Sequence, residues 1–194
     1  AIVNFLQISP DERITATIAF NQGDGYKYLF MATANGTIKK SKLEEFANVR
    51  RSGLIAINLD KGDVLGWVCP TTGGDDVVMT TADGQSIRFK EADVRPMGRA
   101  AAGVRGMKLK DDKDKIVAMD VLHKESKDME LLVLSQNGYG KRTTLKQFKV
   151  QKRGGSGMKA MKVTDKTGDI VGALITSQEQ MEDDIILTSA KGTI

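Results

Sequence analysis

Cationic side chains concentrate in three tracts of this sequence, and each tract begins at a glycine that closes an apolar run. The tracts, residues 36–59, 84–110 and 138–163, hold 20 Lys and Arg residues against 4 Asp and Glu residues. The rest of the chain holds 9 against 21, so a formal net charge of +4 conceals regions of +16 and −12. Regularly spaced basic segments can contact a long polyanion at intervals, and nucleic acid is the obvious candidate.

The cations that follow these glycines, and those in the connection after them, are the residues we expect to contact phosphate. Arg can direct two donors to one phosphate, whereas Lys acts as a mobile point charge. Lys40, Arg88 and Arg142 each lie four residues after their glycine, so we predict equivalent, exposed places for them on successive repeats. The basic candidates are Lys39, Lys40, Arg50, Arg51, Arg88, Arg99, Arg105, Lys141, Arg142, Lys152, Arg153 and Lys159. The alternative is a solvated basic surface that binds nothing.

Residue types that other chemistry would need are scarce. His123 is the only histidine and Cys69 the only cysteine, so the chain can assemble neither a zinc site nor a nucleophile–histidine pair. A single cysteine, with no signal-peptide pattern and no apolar run long enough for a bilayer, predicts a cytoplasmic setting without membrane contact. We expect no catalytic residue, no metal site and no cofactor in this chain.

Short strands are the elements that must position the cations. Asn-Gly and Asp-Gly pairs close the apolar runs, and such pairs tolerate the positive φ of tight hairpin turns. The runs before the tips are Tyr28 to Thr33, Val77 to Thr81, Leu131 to Ser135 and Ile185 to Ser189. A second run follows at 54–59, 104–109 and 158–163, and its alternating apolar residues predict a half-buried strand. We expect a turn or short helix at Ser41 to Val49 and at Lys90 to Val94.

A third apolar run opens at Ile14, Val64, Ile116 and Ile170, spaced 50, 52 and 54 residues apart. About four short strands in a repeat of this length are typical of propeller blades. We therefore predict an all-β, propeller-like ring of four-stranded blades, incomplete in this chain and forming one domain over 1–194. The expected units are a blade tail at 1–22, blades at about 23–74, 75–128 and 129–182, and the start of a further blade at 183–194.

Three segments resemble the C-terminal domain of the DNA gyrase A subunit, which is a β-pinwheel of propeller-like blades, and the resemblance covers nearly the whole length. They are FMATANGTIKK (Phe30 to Lys40), FKEADVRPMGRAAAGVRG (Phe89 to Gly106) and QNGYGKRT (Gln136 to Thr143). The resemblance implies a non-catalytic part of an ATP-dependent type II topoisomerase. Such a domain bends duplex DNA around its basic rim, largely independently of sequence, so that the enzyme introduces negative supercoils. The implied protein partners are the catalytic core of the gyrase A subunit and the ATPase, which is the gyrase B subunit.

The segment Gln151-Lys152-Arg153-Gly154-Gly155-Ser156-Gly157 resembles the gyrase A box, Gln-Arg-Arg-Gly-Gly-Lys-Gly, at five of seven positions. Glycines let a backbone approach phosphates closely and the adjacent cations supply charge, so Gln151, Gly154, Gly155 and Gly157 join the candidate contacts. In the family the decisive box lies in the first blade. The resemblance places this copy in a late blade, and we expect the first-blade box upstream of Ala1.

Two other functions stay open on the sequence alone. The equivalent domain of topoisomerase IV shares the fold, usually with fewer or more eroded blades. A propeller that recruits proteins, with an incidental basic rim, is an alternative of a different class. Salt-sensitive, sequence-tolerant DNA binding would separate that scaffold from both topoisomerase domains.

The acidic stretch Asp111–Asp114 is expected on a face away from the basic tracts.

Overall fold

The computed structural model describes residues 12–21, 23–49, 53–177 and 186. Within these ranges the chain forms strands and short 3₁₀ helices and no α-helix. The strands are β1 (Tyr28–Thr33), β2 (Thr37–Lys42), β3 (Leu65–Thr71), β4 (Asp76–Thr81), β5 (Gln85–Lys90), β6 (Val104–Arg105), β7 (Ile116–Leu122), β8 (Met129–Ser135), β9 (Gly140–Thr144), β10 (Val150–Gln151), β11 (Met158–Lys159) and β12 (Ile170–Ser177). The 3₁₀ helices span Leu43–Phe46, Glu91–Asp93 and Leu145–Gln147. The first two lie within the predicted short-helix segments, and the third was not predicted.

Antiparallel hairpins β1–β2, β4–β5 and β8–β9 confirm the three predicted tips that fall among the described residues. The tip glycines need positive φ; Gly36, for example, has a φ of +84°. The Thr33 hydroxyl accepts the Thr37 N–H at 3.1 Å and closes the first turn. The fourth predicted run, Ile185 to Ser189, and its tip lie outside the described residues, apart from Ile186.

Three sheets contain the hairpins, and each hairpin's first strand pairs with the strand of the third apolar run. The strand orders are β3-β1-β2-β6, then β10-β5-β4-β7 with β11 also pairing with β5, then β12-β8-β9. β6 joins the first sheet and β11 the second, although each comes from the repeat after the hairpin that it pairs with. The first two sheets therefore take their outermost strand from the following repeat.

The second apolar runs are much shorter strands than predicted. Only Val104–Arg105 and Met158–Lys159 pair, and the described residues 54–59 form no strand. The strand pairing with β2 or β5 ends after two residues, because the following backbone N–H groups donate to a carbonyl at the hairpin tip. Gly106 N–H donates to the Gly36 carbonyl at 2.8 Å, and Ala160 N–H donates to the Gly84 carbonyl at 2.9 Å. The runs 104–109 and 158–163 thus bind to the hairpin of the preceding repeat.

Packing between neighbouring sheets builds two apolar cores. The first includes Phe30, Ile38, Phe89 and Met107, and the second includes Leu131, Phe148 and Ile170. β3, β7 and β12 are the end strands of the three sheets, and we call this side the inner edge. There β7 contacts both β3 and β12. Over the described residues the three sheets do not close into a ring. None of the helices in these ranges is long and apolar enough to cross a membrane.

Asp120 links two sheets at this inner edge. Its Oδ1 accepts the Val121 N–H and its Oδ2 accepts the Ile175 N–H of β12, each at 2.8 Å. Burial raises the pKa of the Asp120 carboxyl, although these two N–H donors act in the opposite direction. On β3, burial raises the pKa of the Cys69 thiol to about 12, so this cysteine is protonated at neutral pH.

The acidic loop at Asp111–Asp114 does not lie apart from the basic tracts, so that expectation is wrong. Asp114 Oδ1 accepts the Asp83 N–H at the tip of β4–β5, at 3.0 Å. Lys110, the last residue of the second basic tract, donates its Nζ to Asp83 Oδ1 at 2.9 Å. The loop is held at the hairpin tip because the Asp114 carboxylate accepts a backbone N–H of that turn.

Candidate nucleic-acid interface

The outermost strands of two neighbouring sheets carry exposed cations at equivalent positions. Arg105 of β6 lies opposite Thr37, the residue after the Gly36 tip. Lys159 of β11 lies opposite Gln85, the residue after the Gly84 tip. Both side chains are exposed. Because the two sheets are neighbours, Arg105 and Lys159 present an exposed positive charge at the same place on two successive sheets.

The cations four residues after each tip are paired with carboxylates. Lys40 Nζ lies 3.6 Å from Glu91 Oε1. Arg88 Nη2 lies 2.7 Å from Asp76 Oδ2, and Arg142 Nε lies 2.7 Å from Glu130 Oε2. Lys40 is buried, and the two arginines are half-buried. The prediction that these three positions are exposed is therefore wrong, and each charge is in addition paired within the protein.

Lys39 and Lys141 occupy equivalent positions in β2 and β9 but differ in environment. Lys39 is fully buried. Its Nζ donates to the Ala56 carbonyl at 2.6 Å and also to the Arg99 carbonyl. Burial lowers the pKa of the Lys39 amine, an effect that the charge of Glu45 partly offsets. Lys141 is exposed, and its Nζ donates to the Ala160 carbonyl at 3.1 Å.

The box-like segment 151–157 lies between repeats rather than on an open loop. Gln151 pairs in parallel with Phe89 of β5. Gly154 N–H donates to the Gly106 carbonyl at 2.6 Å, and the Gly155 carbonyl accepts the Lys108 N–H at 2.9 Å. A side chain at Gly157 would meet the Ser86 carbonyl oxygen at 2.5 Å. Gly157 therefore permits close contact with the protein's own backbone, a role that the sequence did not indicate.

Within this segment the two cations differ. Arg153 is half-buried and donates from Nε to the Asp93 carbonyl at 3.2 Å and from Nη1 to the Arg105 carbonyl at 3.0 Å. Lys152 is exposed to solvent. Arg153 thereby joins the box-like segment to the strand that carries Arg105, whereas Lys152 is available to an external anion.

The remaining predicted cations belong to the same connections. Arg99, half-buried, lies four residues before Gly103, as Arg153 lies four residues before Gly157, so the two arginines are equivalent. The backbone N–H of Arg99 donates to Glu45 Oε2 at 3.2 Å. Arg50 and Arg51 lie outside the described residues, and their predicted role stays a prediction.

Sequence reasoning missed two exposed cations near this surface, Arg95 and Lys108. Arg95 lines a shallow depression together with Met97, Val104 and Arg153. Both belong to the second basic tract and contribute to its charge, so the tract was the signal that could have placed them among the candidates. Across the described residues, no three His, Cys, Asp or Glu side chains are grouped so that they could hold a metal ion.

Comparison with known families fits this repeat-by-repeat arrangement. A family model described as DNA gyrase C-terminal domain, beta-propeller, matches residues 27–65, 75–123 and 130–177. The chain belongs to this family. The three matched segments each contain one of the three hairpins, and the match confirms the predicted all-β, propeller-like fold.

Curated relatives of this gyrase C-terminal domain align over its whole length. The domain is 42% identical over 193 residues to the DNA gyrase A subunit of Salmonella typhimurium, an alignment that covers 100% of this chain and 21% of that protein. It is 40% identical over 190 residues to the DNA gyrase A subunit of Staphylococcus epidermidis, covering 97% of this chain and 21% of that protein. The chain thus spans about a fifth of the length of these relatives.

Solved structures give the same picture of the gyrase C-terminal domain fold. The C-terminal domain of a DNA topoisomerase IV aligns with a TM-score of 0.81 and 31% identity, covering 91% of this chain and 54% of that one. A DNA gyrase A C-terminal domain aligns with a TM-score of 0.79 and 29% identity, covering 91% of this chain and 58% of that one. Both enzymes therefore use the architecture seen here.

Proposed function

We propose that this chain is the non-catalytic DNA-binding and DNA-wrapping domain of a DNA gyrase A subunit. It bends duplex DNA around the outer edge of its sheets so that the complete enzyme introduces negative supercoils with ATP. The observation that carries the proposal is the pair of exposed cations, Arg105 and Lys159, at equivalent positions on neighbouring outermost strands. The repeat thus presents positive charge at intervals along one edge.

Exposed cations of the outer strands and the connections make the phosphate contacts in this proposal. They are Arg105, Lys141, Lys152 and Lys159, with Arg99 beside them. Arg50 and Arg51 are proposed for the same role on the basis of the sequence. Lys39, Lys40, Arg88, Arg142 and Arg153, with Gln151 and the box glycines, instead hold the strands that carry these contacts. Phosphate contacts fix position and carry no sequence information, so binding is largely independent of sequence.

Bending requires contacts that are spread along an arc. Smoothly bending 20–30 base pairs by 40–90° costs roughly 1–6 kcal/mol, which contacts made along the bend must offset. Successive sheets that each present an outer-edge cation supply contacts of this kind. The protein partners that the proposal implies are the catalytic core of the gyrase A subunit and the ATPase, which is the gyrase B subunit.

Replacing the two outer-strand cations tests the proposal. We expect the Arg105→Gln/Lys159→Gln variant to bind a random-sequence duplex more weakly at low salt, as measured by fluorescence anisotropy. Log K falls with log salt, and each phosphate contact adds ~0.9 to the steepness of that fall, so losing two contacts should make the slope shallower by about 1.8. Lys124→Gln/Lys127→Gln removes the same charge from positions outside the three basic tracts and serves as the control. Equal slopes for the two variants would overturn this assignment of contacts.

The structural similarity to a topoisomerase IV domain favours a second candidate, the corresponding domain of that enzyme. The two candidates differ in what the complete enzyme does rather than in how this domain binds. A supercoiling assay with ATP, run on relaxed plasmid and on negatively supercoiled plasmid, separates them. The gyrase assignment predicts negative supercoils in the relaxed plasmid, whereas relaxation of the supercoiled plasmid without that activity would favour topoisomerase IV. Salt-independent or absent DNA binding would favour a protein-recruiting scaffold.

A further inference from the structure

A second pair of exposed cations repeats in the same way as Arg105 and Lys159. Arg95 lies ten residues before Arg105, and Lys149 lies ten residues before Lys159. All four side chains are exposed. We call Arg105 and Lys159 the outer row, and Arg95 and Lys149 the second row. Because one repeat step relates the two members of each row, the rows run side by side along the sheets.

The second-row cations occupy equivalent local structures. Each follows a 3₁₀ helix and a buried residue, which is Val94 in one repeat and Phe148 in the next. The N–H of that buried residue closes the helix by donating to the Glu91 carbonyl at 3.0 Å or to the Leu145 carbonyl at 3.1 Å. The side chain that comes next is therefore held outside the core in both repeats.

Both rows are attached to the same hairpin strand of the preceding repeat. Arg105 lies opposite Thr37 at the start of β2. Two residues after Arg95, Met97 N–H donates to the carbonyl of Lys40 in that strand, at 2.7 Å. Thr37 and Lys40 are three residues apart, which corresponds to about 10 Å along a strand.

The next repeat keeps this arrangement. Lys159 lies opposite Gln85 at the start of β5. Gln151, two residues after Lys149, lies opposite Phe89 further along the same strand. The two rows are therefore separated by a similar distance in both repeats, on the order of 10 Å.

Arg153 joins the backbone of the second row to that of the outer row. Its Nε donates to the carbonyl of Asp93, two residues before Arg95, at 3.2 Å, and its Nη1 donates to the carbonyl of Arg105 at 3.0 Å. Arg95 and Arg105 are thus exposed at a place where repeats lie on both sides of them. The depression between the rows is lined by Arg95 and Arg153 and, among its described acidic residues, by Asp93 alone, so it keeps a net positive charge.

We propose that the two rows bind the two phosphate strands on either side of one groove of duplex DNA. This inference rests on the proposed DNA-wrapping function. The grooves of B-form DNA are roughly 6 and 12 Å wide, so cations on rows about 10 Å apart can reach both strands that flank a groove. Contacts to one strand alone would leave the duplex free to rotate about its axis. The second row therefore fixes which side of the duplex faces the protein, as a bend of defined direction requires.

Neutralising the second row tests whether it contacts phosphate. The slope of log K against log salt for a random-sequence duplex should become shallower by about 1.8 in Arg95→Gln/Lys149→Gln, since two contacts are lost. The melting temperature should not change, because both side chains are exposed. Lys124→Gln/Lys127→Gln is the matched control and should keep the original slope. An unchanged slope in the second-row variant would overturn this inference, while a loss in the outer-row variant would still support the proposed function.

Crosslinking distinguishes contact with two strands from contact with one. The Arg95→Cys/Arg105→Cys variant carries one new thiol on each row and keeps Lys149 and Lys159. Burial raises the pKa of the Cys69 thiol to about 12, so a maleimide–aryl azide reagent modifies the new thiols first. The modified protein is irradiated at low salt with a duplex that has a different dye on each strand, and the products are separated on a denaturing gel.

Protein that is crosslinked at both thiols should carry both dyes, whereas each single-cysteine variant should carry one dye per molecule. Doubly crosslinked protein that carries a single dye, or the two dyes in the proportion expected from chance, would overturn the assignment of one row to each strand. Such a result would leave DNA binding itself supported. Failure of the original chain to bind the duplex at low salt would instead overturn the proposed function, and this inference with it.

Discussion

Removing the Lys40 ammonium should destabilise the domain substantially, although Lys40 lies in a basic tract. Its Nζ is 3.6 Å from Glu91 Oε1, and the two side chains are 5% and 0% exposed. Removing one member of a buried ion pair costs about 3–5 kcal/mol. Glu91 keeps two close donors, the Thr71 hydroxyl at 2.7 Å and the Gly73 N–H at 2.9 Å. We therefore expect a loss of about 3 kcal/mol for Lys40→Met, at the lower end of that range.

For a chain of this size, 1 kcal/mol shifts the melting temperature by about 2–4 °C, so Tm should fall by about 6–12 °C. Thermal and urea unfolding followed by circular dichroism measure the change. Lys42→Met is the matched control, because Lys42 pairs with Glu44 at 3.2 Å but both side chains are exposed. The control should melt with the original chain. A Lys40→Met variant that also did so would refute the structural role assigned to this lysine.

Two further predictions concern cations that contact backbone carbonyls. Because the pKa of Lys39 is lowered from 10.5 in the folded state, the unfolded state binds more protons between the lowered value and 10.5, and stability rises with pH there. Relative to Lys39→Met, the original chain should thus gain unfolding free energy as the pH rises towards 10.5 in urea titrations; a constant difference would contradict this. Arg153→Gln should lower the unfolding free energy by about 1–3 kcal/mol, since its guanidinium bonds are lost. Lys152→Gln should leave stability unchanged and reduce only the salt dependence of DNA binding; equal stability of both variants would contradict the structural role of Arg153.

Local sequence signals predicted the hairpins well. β1 was predicted at Tyr28 to Thr33 and is observed at those residues, because an apolar run and an Asn-Gly turn are sufficient to specify a hairpin. The exchange of strands between repeats could not be predicted in this way. It depends on the hydrogen bond from Gly106 N–H to the Gly36 carbonyl, which joins residues that are distant in the sequence. The alternating apolar residues of 104–109 indicated a strand but not where its pairing stops.

Charge counting located the basic surface but could not separate exposed cations from internal ones. Lys39 and Ile87 occupy equivalent positions and are both fully buried, whereas Lys141 at the same position of β9 is exposed. The residue type at this position therefore does not tell which cation is internal. The partner of Lys40 lies 51 positions further along the chain, in the 3₁₀ helix after β5. No local pattern in a basic tract indicates such a carboxylate.

Diagonal neighbours within the hairpins explain why the cation four residues after each tip is internal. Arg88 and Arg142 pair with Asp76 and Glu130, which occupy equivalent places on β4 and β8. The equivalent residue on β1 is Tyr28, and Lys40 Nζ lies 4.8 Å from the centroid of its ring. An aromatic face attracts a cation but carries no net charge, so the carboxylate that balances Lys40 comes instead from Glu91 of the next repeat.

The charge of the cation four residues after the tip is therefore neutralised in every described repeat, although the partners differ. Such repetition is expected of a structural contact, because a phosphate-binding cation gains from remaining available to solvent. The positive potential at the outer edge must then arise from exposed cations, with Arg105, Lys152 and Lys159 foremost among the described residues. For this reason, neutralising the outer-edge cations should weaken DNA binding without loss of stability, whereas neutralising the hairpin cations should first weaken the fold.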